Sequence, residues 1–330
     1  MNLHDWRLKG LVQKSLSILP GGGQVNDWLQ RRGGLKDFES NISDKVGDWD
    51  LMMGYLHKVG WNCDGKSLLE IGTGWYPTLP VCLILAGAKR ITTVDIVRHA
   101  SQKLTFRMIG ALESHLEQIA ARSGRPLAAV REQYGRIRSA RSLEELWSVA
   151  GIEYRSPEDA AKLNLPDNCI DIVYSNSVFE HVEPRFIAPI MREAYRLLRD
   201  DGLNVHAIAC NDHYAFFDRS ISFVNFLRYT EQEWRLWNNR LNYQNRLRAN
   251  DFTRIVQESG FDISLEARHV RPGSREALVN MKLAPEFQHY QVEDLVTTTV
   301  DFVATKTSRP AFRDGTTDRP AGQRDPGSEH

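Results

Sequence analysis

The feature that most constrains this chain is a short apolar run that ends on a glycine turn, Ser67-Leu68-Leu69-Glu70-Ile71-Gly72-Thr73-Gly74. Two glycines directly after a strand let the backbone come close to a ligand and turn into a helix. That helix is expected over residues 78–87, where Pro77 and Pro80 are tolerated because a first turn has spare N–H groups. Residues 90–96 (RITTVDI) are β-branched and read as a second strand. Strand, turn, helix and strand in this order begin a parallel α/β sheet.

Asp95 narrows the ligand. It stands 21 residues after Gly74, at the end of the second strand, where a carboxylate can accept two ribose hydroxyls. The spacing predicts an adenosine-type ligand, and NAD fits it equally well. Glu70 within the turn speaks against a dinucleotide, because its carboxylate would repel a pyrophosphate and suits an ammonium.

The same signals place further strands at residues 151–155, 169–175, 203–210, 261–265 and 296–304. Helices are expected at 185–199 and 251–259, closed by Gly202 and Gly260, with Asp251 as N-cap of the second. Two long segments interrupt the alternation. Residues 98–150 carry helical periodicity through Leu104, Met108, Leu112, Leu116 and Ile119, then a Ser142…Glu145 capping box. Residues 211–250 are crowded with aromatics, from Tyr214 and Phe216 to Trp237 and Tyr243. That composition suits a lid or substrate wall, or a plain packing subdomain.

The layout expected is a helical extension (1–60), a main domain (61–306) with insertions at 98–150 and 211–250, and a disordered tail (307–330). The tail has three prolines, three glycines and no Val, Ile or Leu, too little apolar surface to offset the entropy of ordering. In the extension, Leu8, Leu11, Val12, Leu16 and Leu19 predict a helix ending at Pro20 and Gly21-Gly22-Gly23, packed on the domain. Trp6, Arg7, Lys9 and Lys14 also give it the look of a membrane-surface helix. A second helix is expected over 48–59.

Charge is balanced, with 42 Lys+Arg and 42 Asp+Glu, which argues against a general grip on nucleic acid or anionic lipid. No apolar run reaches the length of a membrane span, and the N-terminus does not read as a signal peptide. Four scattered cysteines suit a reducing compartment. A cytoplasmic protein without stable membrane insertion is the expectation.

The series LLEIGTGWYP, VDI and EDAAKLNLPDNCIDIVYSNSVFEHV resembles the motifs of class I S-adenosylmethionine (SAM)-dependent methyltransferases, most closely the broad type 11 group. The resemblance covers about residues 65–210. It implies a three-layer Rossmann-like α/β sandwich, with a seven-stranded, mostly parallel sheet whose last strand is antiparallel. The N-terminal helices and both insertions would crowd the C-terminal edges of its strands. SAM is the implied cosubstrate. Glu70, Gly72 and Gly74 would hold its methionine part, Asp95 the ribose, Ile96 the adenine ring, and Asp159-Ala160 the adenine amino group. Ser175 and Asn176 would meet the methionine ammonium. The third glycine usual in the turn is absent, with Tyr76-Pro77 in its place.

Methyl transfer is an in-line displacement, so alignment supplies much of the rate. A hydroxyl acceptor also needs a base. His181, beyond the fourth strand, is one candidate, since histidine is the side chain that changes charge near neutral pH. His213 and Tyr214, opening the aromatic insertion, compete with it. The bland reading is that Glu180-His181 only favours the following helix. Asp212 either orients His213 or caps a helix. Related enzymes with an E-x-x-E-H metal motif have an acid where this chain has Ser177, so no metal is expected. Ser175-Asn176-Ser177-Val178 lacks the Asn/Asp-Pro-Pro-aromatic motif of nucleobase amino-methyltransferases, so no nucleic acid partner is expected. Residues 243–248 (YQNRLR) can grip an anion, but a solvated helix face is the simpler expectation. The function expected is methyl transfer to a small-molecule acceptor, most simply at a hydroxyl oxygen. Non-methyl chemistry on SAM (cyclisation or decarboxylation) and a non-catalytic SAM-binding scaffold stand as alternatives.

Overall fold

The computed structural model describes residues 5–22, 25 and 37–307. Gly23 and the tail expected beyond residue 307 lie outside the described residues. Seven strands, β1 (Ser67–Ile71), β2 (Arg90–Val94), β3 (Ile152–Arg155), β4 (Ile170–Asn176), β5 (Leu198–Ala209), β6 (Phe261–His269) and β7 (Thr299–Lys306), form one sheet. Their order is β3-β2-β1-β4-β5-β7-β6. The pairs among β1 to β5 are parallel, whereas β7 runs antiparallel to both β5 and β6.

Side chains alternate across the sheet, as the two-residue period of a strand requires. Leu68, Ile172 and Val303 enter one apolar cluster, and their neighbours Leu69, Val173 and Phe302 enter another. The strands are therefore covered on both faces, which explains their near-continuous apolar runs. Besides the N-terminal α1 (Trp6–Ile18), the described helices include α2 (Phe38–Lys58), α3 (Thr78–Leu85), α4 (Gln102–Ala111), α5 (Leu116–Ser123), α6 (Leu127–Arg138) and α7 (Leu143–Ala150), which cover the first face. The second face carries α8 (Pro184–Leu197) and α9 (Ala249–Glu258). A third apolar cluster belongs to the aromatic insertion, with Tyr214, Phe226 and Trp234 beside Leu278 and Phe287.

Several expectations change. The insertion at 98–150 does not crowd the strand ends; α4 to α7 pack with α2 and α3 on the sheet's flank. Helix α2 begins ten residues before the expected Asp48, at Phe38, because Phe38, Ile42, Val46 and Trp49 already supply a buried stripe. Helix α1 (Trp6–Ile18) buries Trp6, Gly10 and Gln13, not its leucines. Trp6 meets the rings of Tyr214, Tyr229 and Trp237, and one aromatic outcompetes the leucine row for the contact. Leu11, Val12, Ile18 and Leu19 are exposed. In α9 the N-cap is Arg248; Asp251 sits a turn inside and its Oδ2 accepts from the Arg248 amide at 2.9 Å. Residues 243–248 form no helix and no strand, and lead into α9. The Arg248 side chain is buried and donates to the carbonyls of Cys210, Asp294, Leu295 and Thr297. Arg246 pairs with Glu231 at 2.9 Å. Among the described residues, no helix is long and apolar enough to cross a membrane.

Candidate functional site

The strand order reverses between β1 and β4, and ligands of open α/β sheets bind in the crevice beyond the strand ends at such a point. A cleft of about 520 Å³ opens there, lined by Glu70, Gly72, Gly74, Asp95, Ile96 and Asn176 among others. It continues into a cavity of about 740 Å³ past Asp159, Ala160 and Tyr243. The sequence-predicted cofactor residues are thus brought together, except Ser175.

The turn after β1 explains its glycines. Gly72 has φ +83°, and a Cβ there would stand 2.4 Å from Val178 Cγ2. A side chain here must displace Val178 and hold a left-handed backbone, so glycine is favoured by space as well as by conformation. The Gly74 amide donates to Asp95 Oδ2 at 2.9 Å, fixing the carboxylate at the end of β2. Asp95 is raised above the usual carboxylate range by burial. Glu70 is buried at the base of the cleft and accepts from Thr93 Oγ1 at 2.5 Å. Burial pushes its carboxyl up to about 8, with the neighbouring Asp95 adding to the effect. A cation arriving beside Glu70 would relieve both. Ile96 is 69% exposed, an apolar side chain left open on the cleft wall.

Ser175 behaves differently. It is buried and its hydroxyl pairs with His206 Nδ1 at 2.7 Å. Its side chain faces a separate cavity of about 830 Å³, which shares Lys45, Tyr76, Leu79, Asn176 and Ser177 with the cleft. Asn176 lines both spaces, and its Oδ1 is held by Lys45 Nζ.

The three histidine and tyrosine candidates part company. His181 lines the cleft and His213 lines the larger cavity. Their rings meet edge to face with centroids 5.0 Å apart. His181 Nδ1 lies 2.7 Å from the Tyr243 carbonyl, which can only accept, so Nδ1 carries a proton; in the neutral ring the lone pair is then on Nε2. Burial pushes His213 down to about 3, so it is neutral at physiological pH. Tyr214 is not brought to the cavities. It is buried in the aromatic insertion, and its hydroxyl donates to the Trp237 carbonyl at 2.9 Å. Asp212 serves as a cap, accepting from the Tyr214 amide at 2.9 Å and from Asn225 Nδ2 at 3.0 Å. The insertion itself is both packing unit and wall: Trp6 and Trp234 fill its core, while His213 and Phe216 face the large cavity.

Glu180, His181 and His213 each offer one ligand atom within 4.8 Å of the others. The expectation of no metal weighed only the first two, because His213 is distant in sequence. Other residues were missed altogether. Lys45 and Tyr55 come from α2, His269 from the end of β6, and Asp301 from inside β7. Asp301 Oδ2 accepts from Tyr55 Oη at 3.0 Å and from His269 Nε2 at 2.9 Å. An acid within the apolar strand TVDFVAT was the available signal, since buried carboxyls are rare unless paired.

The family model of the methyltransferase domain matches residues 50–266. Among solved structures, geranyl diphosphate C-methyltransferase from Streptomyces coelicolor A3(2) is 11% identical, with TM-score 0.46, covering 82% of this chain and 84% of its own. A SAM-dependent methyltransferase from Mesorhizobium loti is 15% identical, with TM-score 0.38 and coverage of 74% and 93%. The [4+2]-cyclase SpnF is 13% identical, with TM-score 0.42 and coverage of 78% and 81%. No curated protein matches the chain.

Proposed function

Because the chain belongs to the class I SAM-dependent methyltransferases, with SAM as cosubstrate, we propose that it carries the sulfonium methyl to a hydroxyl oxygen of a small-molecule acceptor. The acceptor occupies the 830 Å³ cavity. In this reading Glu70, Gly72 and Gly74 face the methionine end, and Asn176 meets its ammonium. Asp95 takes the ribose hydroxyls through the oxygen that Gly74 leaves open. Ile96, Asp159 and Ala160 border the adenine. Ser175 acts from beneath, through His206, rather than on the ligand.

The observation that carries the proposal is the His181–His213 contact, which joins the cofactor cleft to the larger cavity. The acceptor O–H gives its proton to His181 Nε2. Its oxygen bonds to the methyl carbon as the carbon–sulfur bond breaks, leaving a neutral thioether. His213, neutral and half-buried, flanks that junction. No metal takes part.

The test uses SAM labelled with carbon-13 in the methyl group and an extract of candidate acceptors. The label should appear in a methoxy carbon; label on nitrogen or carbon would reject the hydroxyl assignment. His181→Ala should slow transfer by ~10²-fold or more, with S-adenosylhomocysteine (SAH) affinity unchanged. Treatment with EDTA should leave the rate intact. A loss restored by a divalent cation would instead make Glu180, His181 and His213 a metal site. Failure of SAH to bind at all would sink the whole reading.

A further inference from the structure

Helix α1 has two unlike faces. Trp6, Gly10 and Gln13, three and four residues apart, form its buried side. The Trp6 amide donates to Asp218 Oδ2 at 3.1 Å, and its ring meets Tyr214, Tyr229 and Trp237. A Cβ added at Gly10 would stand 3.1 Å from Tyr214 Oη, so the helix lies close on the aromatic insertion there. This mount leaves the aliphatic side chains out. Leu11, Val12, Ile18 and Leu19 are between 46% and 75% exposed. Leu11, Ser15 and Ile18 follow one another at helical spacing on the side away from Trp6, with Val12 and Leu19 alongside. A single exposed leucine means little. Four aliphatic side chains on one face of a 13-residue helix and its C-cap form a patch, and such patches mark interaction sites.

Charge says what covers the patch. The charged residues of α1 are Arg7, Lys9 and Lys14, all basic. Asp5, just before them, is engaged as N-cap by the Arg7 amide at 2.8 Å. Lys9 is turned to the Phe217 ring. Arg7 and Lys14 lie one turn before Leu11 and Ile18, which puts both at the edge of the patch. They are held by neutral groups: Arg7 lies over the Trp6 ring and donates to Tyr229 Oη, and Lys14 donates to the Arg235 carbonyl. An apolar stripe edged by such cations suits a helix lying in the headgroup region of an anionic bilayer. A second copy of this chain fits poorly, since a two-fold contact through α1 brings only cations to that edge. The chain's own next stretch fits no better, because the sequence over 23–36 carries Arg31, Arg32 and Lys36 against Asp27 alone. The charge balance of the whole chain thus hides a local excess: residues 1–36 hold six Lys or Arg and two Asp or Glu.

We propose that the outward face of α1 docks reversibly on an anionic lipid bilayer. Leu11, Val12, Ile18 and Leu19 enter the boundary between headgroups and acyl chains, and Arg7 and Lys14 meet lipid phosphates. The interaction is peripheral; no described helix is long and apolar enough to cross a membrane. Its consequence lies in the mount. Helix α1 sits on the aromatic insertion, whose His213 and Phe216 line the 830 Å³ cavity. Docking therefore holds one wall of that cavity next to the lipid surface.

The experiment is flotation of the full chain with vesicles of phosphatidylcholine, alone or with about 30% phosphatidylserine. Partition should be at least roughly tenfold stronger on the anionic vesicles, as two surface cations predict, and should fall in high salt. Exchanging Leu11→Ser together with Ile18→Ser should cut it by about tenfold or more. Both residues are exposed, so this double variant should melt at the parent's temperature by circular dichroism. Lys14→Gln tests the charge separately and should weaken anionic binding by about fivefold. Absence of flotation on the anionic vesicles overturns the proposal. So does equal flotation on the two compositions, or a double variant that melts normally and floats like the parent. A dimer in vesicle-free solution that the double variant splits, seen by light scattering, would give this face to a second copy and overturn it as well.

Discussion

The cleft beyond β1 and the larger cavity beside it share a wall at Asn176 and Ser177 but are built on opposite principles. The cleft is made by backbone. A glycine turn, a strand end and two carboxylates, Glu70 and Asp95, line it, and the Gly74 amide fixes the Asp95 carboxylate. The cavity is made by side chains from α2, β4, β5, β6 and β7, with several polar groups still unpaired. A site made of backbone tolerates almost no substitution and serves one ligand. One made of side chains can be retuned residue by residue. This suits an enzyme family that keeps its donor and varies its acceptor.

The contrast breaks first at Gly72. Gly72→Ala drives a methyl against Val178 Cγ2, at 2.4 Å from an ideal Cβ, and forces φ +83° on an alanine. SAH affinity should fall by ~100-fold or more, the size of effect expected from combined overlap and strain. Gly74→Ala is the internal control. Its φ is +70°, yet nothing lies within 4 Å of its added Cβ, so only the left-handed backbone cost of about 1–2 kcal/mol applies. Equal losses in the two variants, read by calorimetry, would show that conformation alone matters and that close approach does not.

The next effect is a pH dependence confined to the cleft. Burial holds Glu70 at about 8, against an ordinary carboxyl at 4.5. The folded protein therefore holds a proton that the unfolded chain releases. By linkage, this group's contribution to stability is complete below pH 4.5 and is lost as pH rises towards 8. Ligand binding has the opposite sign. An ammonium beside Glu70 favours the ionised form, so binding should expel a proton, and affinity should drop by up to tenfold per unit as pH falls below 8. Titration in buffers of different ionisation heat measures the proton count. Glu70→Gln should bring it near zero; an unchanged count would remove Glu70 from the ammonium.

The sequence made the cleft legible because its residues follow one another along a strand, a turn and the next strand. Glu70, Gly72, Gly74 and Asp95 fall within 26 positions, and their chemistry is carried by backbone constraints that glycine and spacing reveal. The sheet was legible for the same reason, since buried strands leave continuous apolar runs. The cavity was not. Tyr55, Glu180, Asn211, His269 and Asp301 are scattered from residue 55 to residue 301, and no local rule joins them. Tyr214 was an attractive candidate beside His213, but a single turn of 3₁₀ helix from His213 to Phe216 directs the two side chains apart. One faces the cavity and the other the Trp6 cluster. In α1 the leucine row marked the helix correctly and its buried face wrongly, because periodicity records which residues are apolar, not which partner awaits them.

The smallest effect tests whether the cavity keeps its unpaired groups at the expense of stability. Glu180 is buried and neither of its oxygens has a partner. Burial raises it above the ordinary carboxyl range, a sign that ionising it there is costly. Replacing such a group by an apolar one of similar volume removes the desolvation penalty without opening a cavity. Glu180→Leu should therefore unfold at a higher temperature by a few degrees, corresponding to about 1–2 kcal/mol, while methyl transfer declines. The gain should be larger at pH 8 than at pH 5, because the native carboxyl is more easily kept protonated in acid. Calorimetric melting of both proteins at the two pH values reads this directly. A variant that melts lower than the parent at both would show that Glu180 already has a stabilising partner, and the side-chain-built cavity would then be as fully satisfied as the cleft.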